Sequence, residues 1–526
     1  MNAAELHHLD THQLREMVQS LQAKVQATES ALTFKQAVID KITHEMAVLK
    51  RMKFGAKAER YSPEQISLLE EAVEADLEAL ASEMDRLAPG KQAVPDRQTA
   101  RRIPLPTHLP RRDVHHEPHS TTCHCGCALK RIGEDIAEKL DYQPGAFTVE
   151  RHVRGKWVCA RCETLVQAPV PPHVIDKGIP TAGLLAQVLV AKYADHLPLY
   201  RQESIFARAG MALSRSTLAQ WVGACGVQLQ PLVDALKQEL LLHPVLHADE
   251  TPVAMLKPGN GKTHRAYLWS YCSTRFSGMH AVVFDFAESR AGQHAREFLG
   301  VTPSGGWRGT LVCDQFSGYK ALFEMGVVEA GCLAHARRKF YDLWVSHQST
   351  VAEQALRFFT RLYDIERQLQ ELSAEERLQR RRSEAKPVAD LLHAWLLQQR
   401  ALVPSGSATA RAIQYSLGCW NALARYLEDG RLPPDNNRVE NQIRPVALGR
   451  ANWLFAGSLR AGRRAAAVMS LVHSARLNGH DPYAYLRDVL ERLPTQPASR
   501  IGELLPHRWV NADAGDVRRA RVDEHV

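Results

Sequence analysis

VLHADETPV (residues 245–253), HRAYLWSYCST (264–274) and MHAVVFDFAES (279–289) are three successive apolar runs, each of strand length and rich in β-branched and aromatic residues. The first ends in acids, and a Gly-containing turn separates the second from the third. Further on the period changes. AGQHAREFLG (291–300) predicts a short helix, GTLVCDQFSGY (309–319) another apolar strand ending in an acid, and VVEAGCLAHARRKFYDLW (327–344) a strand followed by a helix. The order β-β-β-α-β-α-β-α predicts an α/β fold in which three antiparallel strands lead into parallel ones with helices on the faces, the order of a ribonuclease-H-like core. From about 346 to 428 the pattern is helical only, rich in Arg, Glu, Gln and Leu, which predicts an all-helical insertion. A last core helix opens near Val439, after LPPDNNR. The core is thus expected over 244–475, with a C-terminal segment over 476–526.

Three acids sit where such a fold gathers side chains. Asp249 follows VLHA at the end of the first strand, Asp314 follows TLVC at the end of a later one, and Glu440 begins the helix beyond the insertion. The two strands are neighbours in this fold, so both carboxylates would leave one edge of the sheet. Carboxylates brought within a few ångströms repel and raise each other's pKa unless a cation lies between them. Mg²⁺ takes oxygen ligands and keeps positions for water and phosphate. Two such ions about 3.5–4 Å apart can activate a hydroxyl and stabilise the leaving oxygen of a phosphodiester. The trio therefore points to metal-assisted phosphoryl transfer on a polynucleotide. Each acid also has a structural reading. Glu250 beside Asp249 competes for the site, since alternation turns only one of them toward it. An acid after an apolar strand often closes a turn, and Glu440 would favour a helix N-terminus in any case. Asp285, inside a strand run, reads as structural. After Glu440 comes a basic segment with Arg444, Arg450, Arg460, Arg463 and Arg464, suited to neutralising phosphates. Trp453 and Phe455 could stack on an unpaired base or pack into the core.

The N-terminal third reads as smaller pieces. Leu14, Leu21, Thr28, Lys35, Ile42 and Leu49 form one row spaced by seven, and Val18, Val25, Leu32, Ile39 and Met46 a second, four residues behind. This predicts a coiled coil, and so a homo-oligomer, most simply a dimer through 12–50. The alternative is an amphipathic helix packed on its own protein. A basic break (50–62), an acidic helix (63–87) and a basic, Pro-rich linker complete the segment 1–113. Residues 114–178 hold Cys123, Cys125 and Cys127, then Cys159 and Cys162 as a CxxC knuckle. Two Cys clusters about 35 residues apart in a short, core-poor segment suit one tetrahedral Zn²⁺. The preferred ligands are Cys123, Cys125, Cys159 and Cys162, with Cys127 the rival in the first pair. Residues 179–243 are helical, with Ser214 as an N-cap. A helix-turn-helix reading is available at 200–222, and a packing hairpin fits the same pattern.

The whole of 526 residues implies several domains, and 45% hydrophobic with 24% charged residues excludes bulk disorder and a fibrous repeat. No stretch approaches the roughly 20 apolar residues of a membrane span, and MNAAELHHLDTHQL lacks the basic and apolar regions of a signal peptide. The expectation is a cytoplasmic chain. The net charge of +8 permits an anionic partner without requiring one.

HADETPV (247–253), CDQFSGY (313–319), GCLAHARRKF (331–340) and NNRVENQIRPVALGRANWLFAGS (436–458) resemble the corresponding motifs of insertion sequence 66 family transposases. IGEDIAEKLDYQPGAFTVERHVRGKWVCARC (132–162) is similar to that family's zinc-binding module, KFGAKAERYSPEQ (53–65) to its leucine-zipper region and GELLPHRW (502–509) to its C-terminal end. The resemblance implies a bacterial DDE transposase in which Asp249, Asp314 and Glu440 bind Mg²⁺ (or Mn²⁺). Hydroxyls would attack phosphodiesters at the element's ends, and the freed 3′ ends would attack target DNA. The family's first Cys pair is CxxCG where this chain reads C-H-C-G. His335, Arg338 and Lys339 would suit phosphate contacts near the site, as would Arg444 and Arg450; a core His and solvated basic residues are the alternative. Small companion proteins from the same element are expected partners by resemblance, and association with the nucleoid follows from DNA binding. The rivals are a DNA-binding protein without catalysis and a metal-dependent nuclease that hydrolyses without joining.

Overall fold

The computed structural model describes residues 11–54, 63–87, 105–143, 145–175, 178–257 and 262–510. Most of the basic break (55–62), the greater part of the Pro-rich linker (88–104) and the end of the C-terminal segment (511–526) lie outside the described residues. No helix among them is long and apolar enough to cross a membrane.

The heptad stretch is one long helix, α1 (Thr11–Phe54), followed by α2 (Pro63–Leu87). The seam has two fates. Val18, Leu21, Val25 and Leu32 are exposed, whereas Ile42 is buried where α1 packs along α2. A β module follows, with β1 (Arg111–His116), the long hairpin β2 (Leu129–Gln143) and β3 (Ala146–Cys159), and β4 (Leu165–Gln167). β3 is central: it pairs parallel with β1 and antiparallel with β2 and β4.

Three helices lead into the main body: α3 (Ala182–Tyr193), α4 (Leu199–Arg208) and α5 (Arg215–Leu240). The Ser214 hydroxyl accepts from the Thr217 N–H and caps α5. Around 200–222 the two helices pack as a hairpin, with Leu218, Ala219, Val222 and Cys225 of α5 buried and α2 lying across its first turns.

The main sheet comprises β5 (Val245–Met255), β6 (His264–Ser273), β7 (Val282–Ala287), β8 (Thr310–Val312) and β9 (Val328–Ala330), with α6 (Gly292–Leu299) before β8. Its order is β7-β6-β5-β8-β9; the first three strands are antiparallel, and β8 and β9 run parallel to β5. The first strand is longer than its apolar run suggests. It continues through Pro252 to Met255, so Asp249 lies mid-strand opposite Ser270 rather than at the strand's end. The reason is the neighbour. β8 pairs with β5 only as far as His247↔Val312, and beyond that point β5 is an edge, where a Pro removes no ladder bond.

Beyond β9 the described elements are helical: α7 (Leu333–His347), α8 (Thr350–Gln368), α9 (Ala374–Arg380), α10 (Lys386–Leu402), α11 (Ala408–Gly418), then α12 (Asn437–Trp453), α13 (Leu459–Leu477) and α14 (Pro482–Arg492). The sheet and α13 share one core around Trp269, Tyr271, Phe284 and Leu471, and the C-terminal Leu504, Leu505 and Trp509 close it. A second core joins the helices that follow to α7 and to one side of the sheet, around Val312, Phe340, Phe359, Leu362, Leu392 and Leu396. Arg381 is fully buried there, bidentate on Glu366 at 2.6 and 2.8 Å and donating to the carbonyls of Tyr426 and Asp429.

The acidic helix α2 is sunk into the body. Glu71 takes Lys192 and the Leu199 N–H, Asp76 takes Arg464 at 3.0 Å, and Arg460 bridges Glu83 and Glu45 at 2.5 and 2.9 Å. Arg460 and Arg464 were expected among the phosphate-neutralising residues; the structure commits both to internal carboxylates some 380 positions away in the chain. Phe455 is likewise buried, against Leu68 and Leu256. Close approach requires small residues at the seam: a Cβ on Gly223 of α5 would lie 2.3 Å from the Ala75 carbonyl oxygen. Gly223→Ala is therefore expected to lower stability by about 1–3 kcal/mol, the usual cost of overpacking, measured by denaturant unfolding. An unchanged midpoint would mean that α2 is not held at this distance.

Candidate active site and zinc centre

The end of β8 creates the site. Between His247 and a single bridge to Ala456 at Met255, the described residues give β5 no strand partner on that side, and α12 crosses there instead. Asp249 projects from β5 and its Oδ1 accepts the Glu250 N–H at 2.9 Å. Asp314 stands two residues beyond β8, held by an Asx turn in which its Oδ1 accepts the Phe316 N–H at 3.0 Å. Glu440 lies in the first turn of α12. Burial pushes the Asp249 carboxyl up to about 8, with Glu250, Asp314 and Glu440 each adding negative potential. Asp314 and Glu440 thus both lie within electrostatic reach of Asp249, although the three carboxylates are not drawn together as tightly as the Cys332, His335 and Glu440 ligand atoms.

Glu250 does something else. Its carboxylate accepts from Arg290 at 2.6 Å and from the Tyr319 hydroxyl at 2.8 Å, and Arg290 lies over the Phe316 ring at 3.9 Å. Alternation along β5 thus ties one acid into a cation and hydroxyl clamp and leaves the other facing like charges. Glu440 Oε1 is buried without a hydrogen-bond partner, as is His335 Nδ1, 3.6 Å away. With Cys332 Sγ these atoms lie within 4.8 Å of one another. A buried carboxylate oxygen with no donor, within electrostatic reach of a carboxyl that burial and then neighbouring acids push up, fits a divalent cation.

The residues expected to touch DNA differ in their surroundings. His335 faces Glu440 from α7, while Arg338 and Lys339 are exposed on the same helix. Arg444 is exposed on α12. Arg450 turns back and donates to the Pro252 carbonyl at 2.6 Å, bracing α12 on β5. Sequence reading missed Arg290, His247, Tyr363 and Asn436. Asn436 is fully buried and hydrogen-bonds His247 and the Ala248 carbonyl. Burial pushes His247 down to about 4, so it is neutral. Nothing local in D-N-N distinguishes that Asn from a turn residue.

In the β module, Cys123 and Cys125 come from the turn before β2, Cys159 from the end of β3 and Cys162 from the turn after it. The sulfurs lie 3.3 Å (Cys123–Cys162), 3.7 Å (Cys125–Cys159) and 3.8 Å (Cys125–Cys162) apart. Sulfurs at about 2.3 Å from a tetrahedral zinc stand about 3.8 Å apart, so the four fit one ion. None is in a disulfide. The Thr164 hydroxyl and N–H beside Cys162 pull its thiol down to about 6. Cys127 lies outside the cluster; a turn with Gly126 at φ +82° uses its carbonyl to accept the Cys123 N–H.

Comparison with known proteins agrees with this geometry. Residues 120–163 match the model described as the zinc-finger binding domain of transposase IS66, 41–114 that of Transposase C of IS166 homeodomain, and 470–507 the IS66 C-terminal element. Two relatives from Sinorhizobium fredii, described as uncharacterized proteins y4jD and y4hP, are each 37% identical; the alignments cover 88% of this chain and 94% of the first, and 80% and 79% for the second. Residues 177–464, more than half of the chain, match the model for the transposase IS66 family, and the chain belongs to that family.

Proposed function

We propose that the protein is a DDE transposase whose ribonuclease-H-like core uses Asp249, Asp314 and Glu440 to hold Mg²⁺ or Mn²⁺, cuts DNA at the ends of its insertion sequence, and joins the freed 3′ ends to target DNA. The observation that supports the reading is the placement of Asp314, from the β8 turn, and Glu440, from α12, within electrostatic reach of Asp249 on β5, whose carboxyl is raised to about 8 by burial and by its acidic neighbours. The strand order β7-β6-β5-β8-β9, antiparallel then parallel, supports the core assignment. Divalent ions bound there supply Lewis acidity at the scissile phosphate and ease ionisation of the attacking hydroxyl. The chain's own part is positional: the Phe316 N–H fixes Asp314, the Glu250 N–H fixes Asp249, and α12 carries Glu440 in. Arg338, Lys339 and Arg444, exposed around the site, neutralise DNA phosphates, each adding about 0.9 to the log–log salt slope; His335 lies closer in. In this reading 1–113 is the assembly segment, 114–178 the zinc module, 179–243 a helical connector, 244–475 the core and 476–526 a closing segment. The protein works at the bacterial nucleoid, with small companion proteins from the same element as candidate partners.

The test uses purified protein, labelled element-end DNA, a target duplex and Mg²⁺. Cleaved ends joined to target are expected. Hydrolysis without joining would leave a nuclease, and binding without cleavage a DNA-binding protein.

Two element ends must be held together, and the exposed half of the α1 seam supports pairing with a second copy. Leu21→Asp together with Val25→Asp touches only exposed side chains, so the fold should survive while sedimentation shifts from dimer to monomer. The same stoichiometry in parent and variant would remove this role for α1.

A further inference from the structure

The loop before α12, residues 433–436, has no regular structure of its own, yet it is tied to three separate elements, β5, α7 and α8. The Asn436 side chain ties it to two neighbouring residues of β5. Its Nδ2 donates to the Ala248 carbonyl at 2.8 Å, which makes its Oδ1 the acceptor and His247 Nδ1 the donor in the 2.9 Å bond between them. Its backbone N–H donates to Cys332 Sγ at 3.2 Å, and the Pro434 carbonyl accepts from the Leu333 N–H at 3.0 Å, both at the start of α7. Asp435 reaches the insertion: its Oδ2 accepts the Tyr363 hydroxyl of α8 at 3.0 Å, while its two oxygens also take the Asn437 N–H and side-chain amide at 3.1 and 3.0 Å. Four residues after Asn436, one helical turn on, comes Glu440. One residue after Ala248 comes Asp249.

We propose that Asn436 and Asp435 form a clasp that sets the distance between Glu440 and Asp249, Asn436 by bridging β5 and α7, and Asp435 by anchoring the loop to Tyr363 of the helical insertion. This inference rests on the three-carboxylate reading above and deepens it. Asn436, Asp435 and Tyr363 touch neither DNA nor metal; they are positioning residues. The insertion then has a defined task. It supplies most of the stretch that separates Asp314 from Glu440 in the chain, and one of its helices returns a hydrogen bond to the loop that leads into Glu440. A buried Asn with its amide satisfied from two sides admits one orientation only. The α12 N-terminus therefore cannot slide along β5 without breaking bonds to both strand residues.

The side-chain geometry predicts a graded effect. Tyr363→Phe removes one hydroxyl and keeps the ring. Asn436→Ala removes both side-chain bonds to β5 and keeps the backbone bond to Cys332. An outer-shell partner that orients a ligand typically accounts for 10–100-fold in metal affinity, and a misplacement of about 1 Å can cost about 10²-fold in rate. With the full-length chain, three quantities separate positioning from general destabilisation: the melting midpoint without metal, Mn²⁺ affinity by calorimetry, and kcat against KM for cleavage of element-end DNA. Tyr363→Phe is expected to melt close to the parent, bind Mn²⁺ about 10-fold more weakly, and cleave with kcat reduced about 10-fold at unchanged KM. Asn436→Ala is expected to lose about 10²-fold in both affinity and kcat. If Asn436→Ala does not fold, Tyr363→Phe decides. Parent-like Mn²⁺ affinity and kcat in a folded clasp variant, with Glu440→Gln inactive, would overturn the clasp and leave the carboxylate reading standing. Glu440→Gln that binds Mn²⁺ and cleaves like the parent would overturn both.

Discussion

Asp314→Asn is expected to reduce cleavage of element-end DNA by about 10³-fold or more while leaving DNA affinity and the melting midpoint near those of the parent. The substitution is isosteric, and the amide oxygen can still accept the Phe316 N–H that shapes the turn at 3.0 Å. What disappears is one negative charge beside Asp249, which is already pushed up to about 8. A neutral ligand in place of a carboxylate weakens the hold on a divalent cation and removes several kcal/mol of charge stabilisation where the phosphodiester reacts; at 1.36 kcal/mol per decade, about 4 kcal/mol is about 10³-fold. The measurement is single-turnover cleavage in Mg²⁺, with binding followed separately by anisotropy in Ca²⁺ or without metal. Cleavage at the parent's rate would remove Asp314 from the chemistry and with it the three-carboxylate site. Loss of binding and melting together would show only that the turn had collapsed.

The sequence made the sheet legible because its period changes from helical to strand-like at Val245 and back again. Asp249 and Asp314 drew notice for the same reason, each following an apolar run, and Glu440 because it opens the helix beyond the insertion. What stayed hidden is set by neighbours that local sequence cannot name. The true length of β5 depends on β8 ending at Val312, which turns Pro252 from a strand breaker into a tolerated edge residue. The segment 63–87 reads simply as an acidic helix, yet Asp76 and Glu83 answer Arg464 and Arg460, far downstream. The heptad rows run the length of α1, but periodicity records only that an apolar face needs cover; Ile42 finds it within the chain while Leu21 and Val25 do not. In the first Cys cluster, spacing left Cys125 and Cys127 open. The turn at Gly126 settles the geometry by aiming the Cys125 sulfur toward Cys159 and using Cys127 through its backbone.

Cys159→Ser combined with Cys162→Ser is expected to remove about one zinc ion per chain and to unfold one end of the β module without unfolding the protein. The apolar core at that end consists of Cys123, Leu129 and Cys159, with Cys127, Trp157 and Val166 packed on it. Two of its three fully buried members are themselves in the sulfur cluster, so without metal there is too little apolar surface to offset the entropy of ordering the turns. Zinc binding supplies that difference: in small zinc domains it contributes about 10–16 kcal/mol at neutral pH, and this is folding energy. The other end of the β2–β3 hairpin is anchored differently. Leu140, Tyr142, Phe147 and Val149 belong to the main core, and Phe147 meets Phe206 of α4 edge-on at 5.3 Å. Loss of the ion should therefore fray the knuckle and the ends of β2 and β3 next to it, while the hairpin tip stays docked. Metal analysis of the purified chain gives the first readout. Limited proteolysis gives the second, with new cuts expected around 119–130 and 157–167 and none in the sheet or the insertion helices. A double variant that retains the parent's zinc content, or one whose new cuts fall in the main sheet instead, would show that these sulfurs do not hold a local structural ion.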